Sequence, residues 1–194
     1  MKNFKIILDT SIFVNPDSRH FFGKNPKEAL ENFFCRLHEA KNINCYMPPS
    51  VYEELTQFTG KIPAVEKSLL ISRTPPSSYE SLVPAMLVYE LIEEIRLRIN
   101  KGLRIAEKYH RKEKTTSNAA EEEKERQIKQ LRQEYRTALR EGIIDSKEDF
   151  DLILLAKEIK GSLATSDKGL ITWAQKLGIL CIGAQELKEL VYSA

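Results

Sequence analysis

The chain of 194 residues is poor in the residues that carry soft-metal or nucleophilic chemistry, with three cysteines and three histidines. Cys35, Cys45 and Cys181 are odd in number and form no CxxC. Neither a disulfide framework nor a zinc site is expected, and a reducing cytoplasm is the default setting. His20, His38 and His110 show no HExxH spacing and no evident cysteine or serine partner, which argues against a zinc hydrolase or an activated thiol or hydroxyl. No GxxxxGK[ST] occurs and no GxGxxG follows a strand-like run, so neither a P-loop nor a dinucleotide fold is visible. No apolar run approaches the ~20 residues of a membrane span. An apolar strand pattern begins within a few residues of Met1, so no secretory leader and no membrane association are expected.

Charge is plentiful and unevenly spread. Residues 96–140 hold 14 Lys and Arg against 7 Asp and Glu, a net of +7. The whole chain carries only +2, so the remainder carries −5. A basic segment on a mildly acidic body suggests a polyanion contact placed away from an acidic site.

Strand and helix patterns alternate through most of the chain. "FKIILD" (4–9) reads as a buried strand. Asn25 and Pro26 open a helix with Leu30, Phe33, Phe34 and Leu37 on one face. A second strand spans 43–48. Ser50 is expected to cap the next helix in a capping box with Glu53. "AVEKSLLIS" reads as a short helix and "RTPPSS" as a loop. Residues 143–161 form a helix with Gly161 at its C-cap. A third strand (162–167), a helix, a fourth strand (179–183) and a last helix complete the pattern. The expected fold class is α/β, a parallel sheet with helices on both faces.

The stretch 79–139 breaks this alternation. Val88, Ile92, Ile95, Ile99, Gly102, Ala106 and Tyr109 recur at alternating spacings of 4 and 3, a heptad-like seam. The chain turns at "TTSN" (115–118), and Ile128, Leu131, Tyr135 and Ala138 resume the seam. A long helical hairpin inserted into the α/β body is expected. The body then comprises residues 1–78 and 141–194 and the hairpin residues 79–140.

Two of the expected strands end in an acid, Asp9 and Asp167. In a parallel sheet these ends share one edge, where ligands bind. Glu54, early in the helix after strand two, belongs near that edge. Asp145, Asp149 and Asp151 join the group if the hairpin returns the chain there. Clustered carboxylates repel one another, and a divalent cation removes the conflict. Oxygen-only ligands suit Mg²⁺ or Mn²⁺, and two such ions ~3.5–4 Å apart suit phosphodiester hydrolysis. Each acid also has an ordinary use: Asp9 as a strand end or turn cap, Asp145 as a helix cap, Asp149 paired with Ser146, Asp167 in an Asp-Lys-Gly turn, Glu54 and Asp151 as solvated helix charges.

"LDTSIF", "PPSVYEEL" and "DFDLILLAKEIKGSLATSDKG" together resemble a PIN domain. The last segment carries the Asp-x-x-x-x-Ala…Thr-x-Asp pattern through Asp151, Ala156, Thr165 and Asp167. More narrowly, "LDTSIFVNPDSRHFFG", "YMPPSVYEELTQF" and the charged hairpin before "GIIDSKEDFDLILLAKE" resemble the homologs of Aquifex RNase P, minimal protein-only RNase P enzymes. The resemblance covers essentially the whole chain. It implies an α/β/α sandwich and metal-dependent removal of the 5′ leader from precursor tRNA. It implies a metal site of Asp9, Asp145, Asp149, Asp151 and Asp167, with Glu54 or its neighbour Glu53 completing it. It also implies that the hairpin contacts tRNA and joins copies of the chain. Candidate RNA contacts are Arg96, Arg98, Lys101, Arg104, Lys108, Arg111, Lys112, Lys129, Arg132 and Arg136. The competing expectations are a toxin-like PIN ribonuclease with another RNA target, a non-catalytic RNA-binding scaffold, and a receiver-like phosphoacceptor domain.

Overall fold

The computed structural model describes residues 3–40, 42–62, 70–115, 121–140, 144 and 146–193, with the side chains of 112–115, 121–123 and 140 excepted. Five parallel strands form one sheet in the order β3-β2-β1-β4-β5. They are β1 (Phe4–Leu8), β2 (Ile43–Met47), β3 (Ile71–Arg73), β4 (Ser162–Ala164) and β5 (Cys181–Ile182). Helices cover both faces, as an α/β/α sandwich requires. This is why Ile6, Ile7 and Leu8 on successive positions of β1 are all buried.

The chain winds outward from β1 to β2 and β3, then returns on the other side of β1 to β4 and β5. The winding direction reverses between β1 and β4, so their carboxyl ends flank the switch-point crevice of an open parallel sheet. After β1 come two short turns of helix, α1 (Ser11–Val14) and α2 (Pro16–Arg19). Then α3 (Pro26–Glu39) follows, opened by Asn25, whose side chain accepts from the Glu28 amide. Phe13 and Phe22 meet Phe33 of α3 edge-on, with ring centroids 5.2 and 5.7 Å away. This aromatic cluster pins the segment after Asp9 to the core. The body is completed by α4 (Pro49–Thr59), α7 (Lys147–Ile159), α8 (Lys168–Lys176) and α9 (Ala184–Tyr192).

The structure corrects three local expectations. Ile71–Arg73 is an edge strand paired to β2 rather than the end of a helix and the start of a loop, because an isolated three-residue run has no periodicity of its own; the rest of that expected helix, but for Leu70, lies outside the described residues. Ser50 lies inside α4, whose cap position is Pro48, so it makes no capping box. After α7 it is Lys160, not Gly161, that adopts the left-handed conformation, at φ 53°. A Cβ on Gly161 would stand 2.8 Å from the Lys5 carbonyl oxygen and 2.6 Å from Ile7 Cδ1. Close approach to β1 is what selects glycine there.

The chain divides into two compact units, Met1–Ser81 with Ile144–Ala194, and Leu82–Ile143. The second holds α5 (Ala85–Thr115) and α6 (Glu121–Arg140). Of the expected turn at 115–118, Thr115 closes α5 and the rest lies outside the described residues. The apolar seam is corrected at its aliphatic positions, while Gly102 and Tyr109 do lie on the less exposed face. The least exposed positions of α5 are Leu87, Glu90, Leu91, Glu94, Arg98, Gly102, Ile105 and Tyr109. Val88, Ile92, Ile95 and Ile99 stand 42, 50, 44 and 61% exposed. Gly102 sits against the Tyr135 ring of α6, and Arg98 is drawn inward in an ion pair with Glu94. That polar pair on the inner face displaces the register inferred from aliphatic spacing alone. Among the described residues, no helix is long and apolar enough to cross a membrane.

Candidate active site

Asp9 follows β1 directly, and its amide donates to the Ala164 carbonyl of β4 at 3.0 Å. The residue is 5% exposed. Thr165 Oγ1 donates to Asp9 Oδ2 at 2.6 Å, and the Ser11 hydroxyl donates to the same oxygen. Oδ1 accepts a long bond, 3.4 Å, from Thr10 Oγ1, and the Ser11 amide also donates to the carboxylate. The two hydroxyl donors thus fix Oδ2 in place. Burial pushes the Asp9 carboxyl above the usual carboxylate range. The Ser11 and Thr165 hydroxyls oppose this shift, and the charge of Asp167 adds to it.

The donors are themselves held. Thr165 Oγ1 accepts from the Asp167 amide at 3.0 Å. Ser11 Oγ accepts from the Ser166 amide at 3.0 Å. These bonds tie the end of β1 to the end of β4 across the switch point. Asp167 is exposed and caps α8 through the Leu170 amide, 2.8 Å away. It therefore fills its structural use while presenting charge to Asp9.

Glu54 Oε2 accepts from Thr10 Oγ1 at 3.3 Å. Its pKa is raised by burial first, against the Thr10 hydrogen bond, and then by the charges of Asp9 and Glu148. Glu53 is exposed. The second turn of α4 thus brings Glu54 toward Asp9 and carries Glu53 to solvent. Asp151, half-buried on α7, accepts from Ser50 Oγ at 3.3 Å, the contact that replaces the expected cap. Asp149 is half-buried in the first turn of α7, where its amide donates to Ser146 Oγ at 3.0 Å. Asp145 lies outside the described residues.

Sequence reasoning passes over Glu148. Its side chain is 29% exposed, 3.8 Å from Lys147 Nζ, and its charge reaches Glu54. An acid in a first helical turn reads as a dipole-compensating charge, so nothing in the sequence distinguished it.

The donor set is all carboxylate and hydroxyl oxygen, which suits a hard divalent cation. The raised pKa values of Asp9 and Glu54 mark charge that such an ion would relieve. Among the described residues, no three acidic, histidine or cysteine side chains converge closely enough to cage an ion alone.

On the second unit, Arg96, Arg104, Arg111, Lys129, Arg132 and Arg136 are exposed. Lys129, Arg132 and Arg136 line one open groove along α6 with Ile128. Lys101 is also exposed, and Lys108 pairs with Glu134 at 2.7 Å. Arg98, with its side chain 12% exposed, is poorly placed to meet RNA. The side chain of Lys112 lies outside the described residues.

A family model described as PINc domain ribonuclease matches residues 5–193. Among curated proteins, the RNA-free ribonuclease P of Thermodesulfovibrio yellowstonii is 48% identical, over 100% of this chain and 96% of its own length. That of Pyrococcus horikoshii is 49% identical over 96% of this chain and 91% of its own. That of Pyrococcus furiosus is 47% identical over 96% and 92%. With a buried acid at the switch point of a parallel sheet and this similarity along its length, the chain belongs to the PINc-domain ribonuclease family.

Proposed function

We propose that the protein is a metal-dependent endoribonuclease that removes the 5′ leader from precursor tRNA. The observation that carries this reading is the span of its similarity to RNA-free ribonucleases P, which includes the hairpin as well as the body. The hydrolysis adds water across one phosphodiester. The water oxygen joins phosphorus, the bond to the leader's 3′ oxygen breaks, and that oxygen takes up a proton. The tRNA is left with a 5′-phosphate and the leader with a 3′-hydroxyl.

Asp9, Glu54, Asp149, Asp151 and Asp167, with Asp145, are the acids we assign to the site. When bound, Mg²⁺ or Mn²⁺ supplies activation of water and stabilisation of charge on the phosphate. The chain's part is to hold the carboxylates in place. Thr165 and Ser11 clamp Asp9, Thr10 tethers Glu54, Ser50 tethers Asp151, and the Leu170 amide fixes Asp167. Both Asp9 and Glu54 must lose a proton to bind a cation, and burial resists that loss. Cleavage should therefore weaken in acid.

The hairpin is assigned two further roles. Its exposed cations contact the tRNA backbone, which protein reads mostly by shape. Its exposed stripe of Val88, Ile92, Ile95 and Ile99 supports association of this chain with further copies of itself, since a run of apolar residues in water favours burial. We place the activity in the cytoplasm, in keeping with three free cysteines, one of them exposed.

The test is to incubate the purified protein with a 5′-leader precursor tRNA and with the mature tRNA, with and without Mg²⁺, and to map the new 5′ end. Mg²⁺-dependent cleavage at the mature 5′ end is expected. Cuts within the mature tRNA would point to a toxin-like ribonuclease. RNA binding without cleavage would point to a scaffold.

A further inference from the structure

The acidic centre poses an electrostatic problem for its substrate. An RNA strand must bring its phosphates to Asp9, Glu54 and Asp167, three negative side chains at one sheet edge. Cations beside that edge are needed to offset the repulsion.

Arg73 is the last residue of β3, so it lies at the same carboxyl edge as Asp9. Register carries the two to one level: Ile7 pairs with Tyr46, Tyr46 with Ser72, and Met47 with Arg73. Arg73 is therefore level with Leu8, which precedes Asp9, and two strands away, a separation of about 10 Å at ~4.8 Å per strand. At a stacked rise of ~3.4 Å per nucleotide, that is roughly three nucleotides.

The side chain is held in a definite way. Its guanidinium carbon stands 3.8 Å from the centroid of the Tyr52 ring. Tyr52 is 7% exposed on α4, whereas Arg73 is exposed. No acid among the described residues forms an ion pair with Arg73. Stacking fixes one face of the planar fork and leaves its in-plane N–H groups to solvent. That is the geometry that binds a phosphate with two parallel hydrogen bonds. Tyr52 and Glu54 also share α4, so the platform under Arg73 and one acid of the site are carried by a single helix.

We propose that Arg73, stacked on Tyr52, grips a backbone phosphate of the RNA substrate a few nucleotides from the cut. It thereby steadies the strand across the acidic edge. The proposal rests on the ribonuclease reading above. Arg73 is a substrate-binding residue in it and takes no part in the bond-breaking step.

The test uses the full chain and a 5′-leader precursor tRNA. Arg73→Ala should weaken binding about tenfold, the scale of one charge-assisted contact. It should lower the slope of log Kd against log salt by about one. The loss should fall on KM, and Arg73→Lys should recover part of it by restoring charge without the fork. Replacing single linkages near the cut by neutral methylphosphonates should locate the phosphate. At one position the substitution should weaken the wild type and leave Arg73→Ala unaffected. Unchanged affinity and salt slope in Arg73→Ala overturn the proposal, as does a loss shared equally by every linkage. If the wild type cleaves no precursor tRNA, the functional reading itself fails. If it cleaves normally and Arg73→Ala behaves as wild type, only the Arg73 assignment fails.

Discussion

At the scale of the residue, Asp9 carries the most information. The carboxylate of this residue, itself 5% exposed, is held by two hydroxyl donors on one oxygen, yet its pKa stays above the ordinary value because burial outweighs them. A carboxyl raised in the folded state leaves stability intact below its unfolded pKa and costs stability as pH rises through its folded pKa. Without divalent cations, Asp9→Asn should therefore be at least as stable as the wild type at pH 7. Its advantage should shrink toward pH 4. Its cleavage rate should fall by at least about 100-fold. Thermal unfolding in a chelator across pH, together with a cleavage assay, checks both. A variant that is less stable by the same margin at every pH would show that the carboxyl is not penalised for its charge. Added Mg²⁺ should raise the melting temperature of the wild type more than that of Asp9→Asn.

At the scale of the element, helices α4, α7 and α8 start at the carboxyl edge and deliver acids to it. Glu54 and Glu53 illustrate why helix geometry matters: adjacent in sequence, they point about 100° apart at 3.6 residues per turn. One joins Thr10 and the other meets solvent. The end of α7 is constrained differently. Gly161 passes so close to β1 that a methyl group would strike the Lys5 carbonyl and Ile7. Gly161→Ala should cost about 1–3 kcal/mol, the usual penalty of overpacking. Denaturant unfolding measures it. An unchanged midpoint would mean that β1 and the start of β4 separate more readily than their pairing implies.

At the scale of the whole molecule, the surface of α5 holds an apolar stripe alongside its cations. Ile92 and Ile99 are 50 and 61% exposed, so replacing them should leave the fold of a single chain nearly unchanged. Ile92→Glu with Ile99→Glu should reduce the mass measured by light scattering while unfolding cooperativity persists. An unchanged mass in the double variant would overturn the proposed self-association through this stripe. Weakened cleavage in the smaller species would tie assembly to function, as expected if several hairpins meet one tRNA.

The sequence by itself determined the alternation of strands and helices, because periods of 2 and 3.6 follow from backbone geometry. It also determined that acids follow β1 and β4, and that two long helices stand between β3 and α7. Only the tertiary structure decided what depends on partners distant in the chain. β3 exists because β2 supplies its hydrogen bonds. Ser50 serves Asp151, 101 residues away, rather than its own helix. Glu54 rather than Glu53 meets Thr10, and Arg98 turns inward while Ile92 and Ile99 turn out. Local spacing fixes which residues share a face of a helix. Which face is buried is set by whatever packs against it, and that is a property of the folded chain alone.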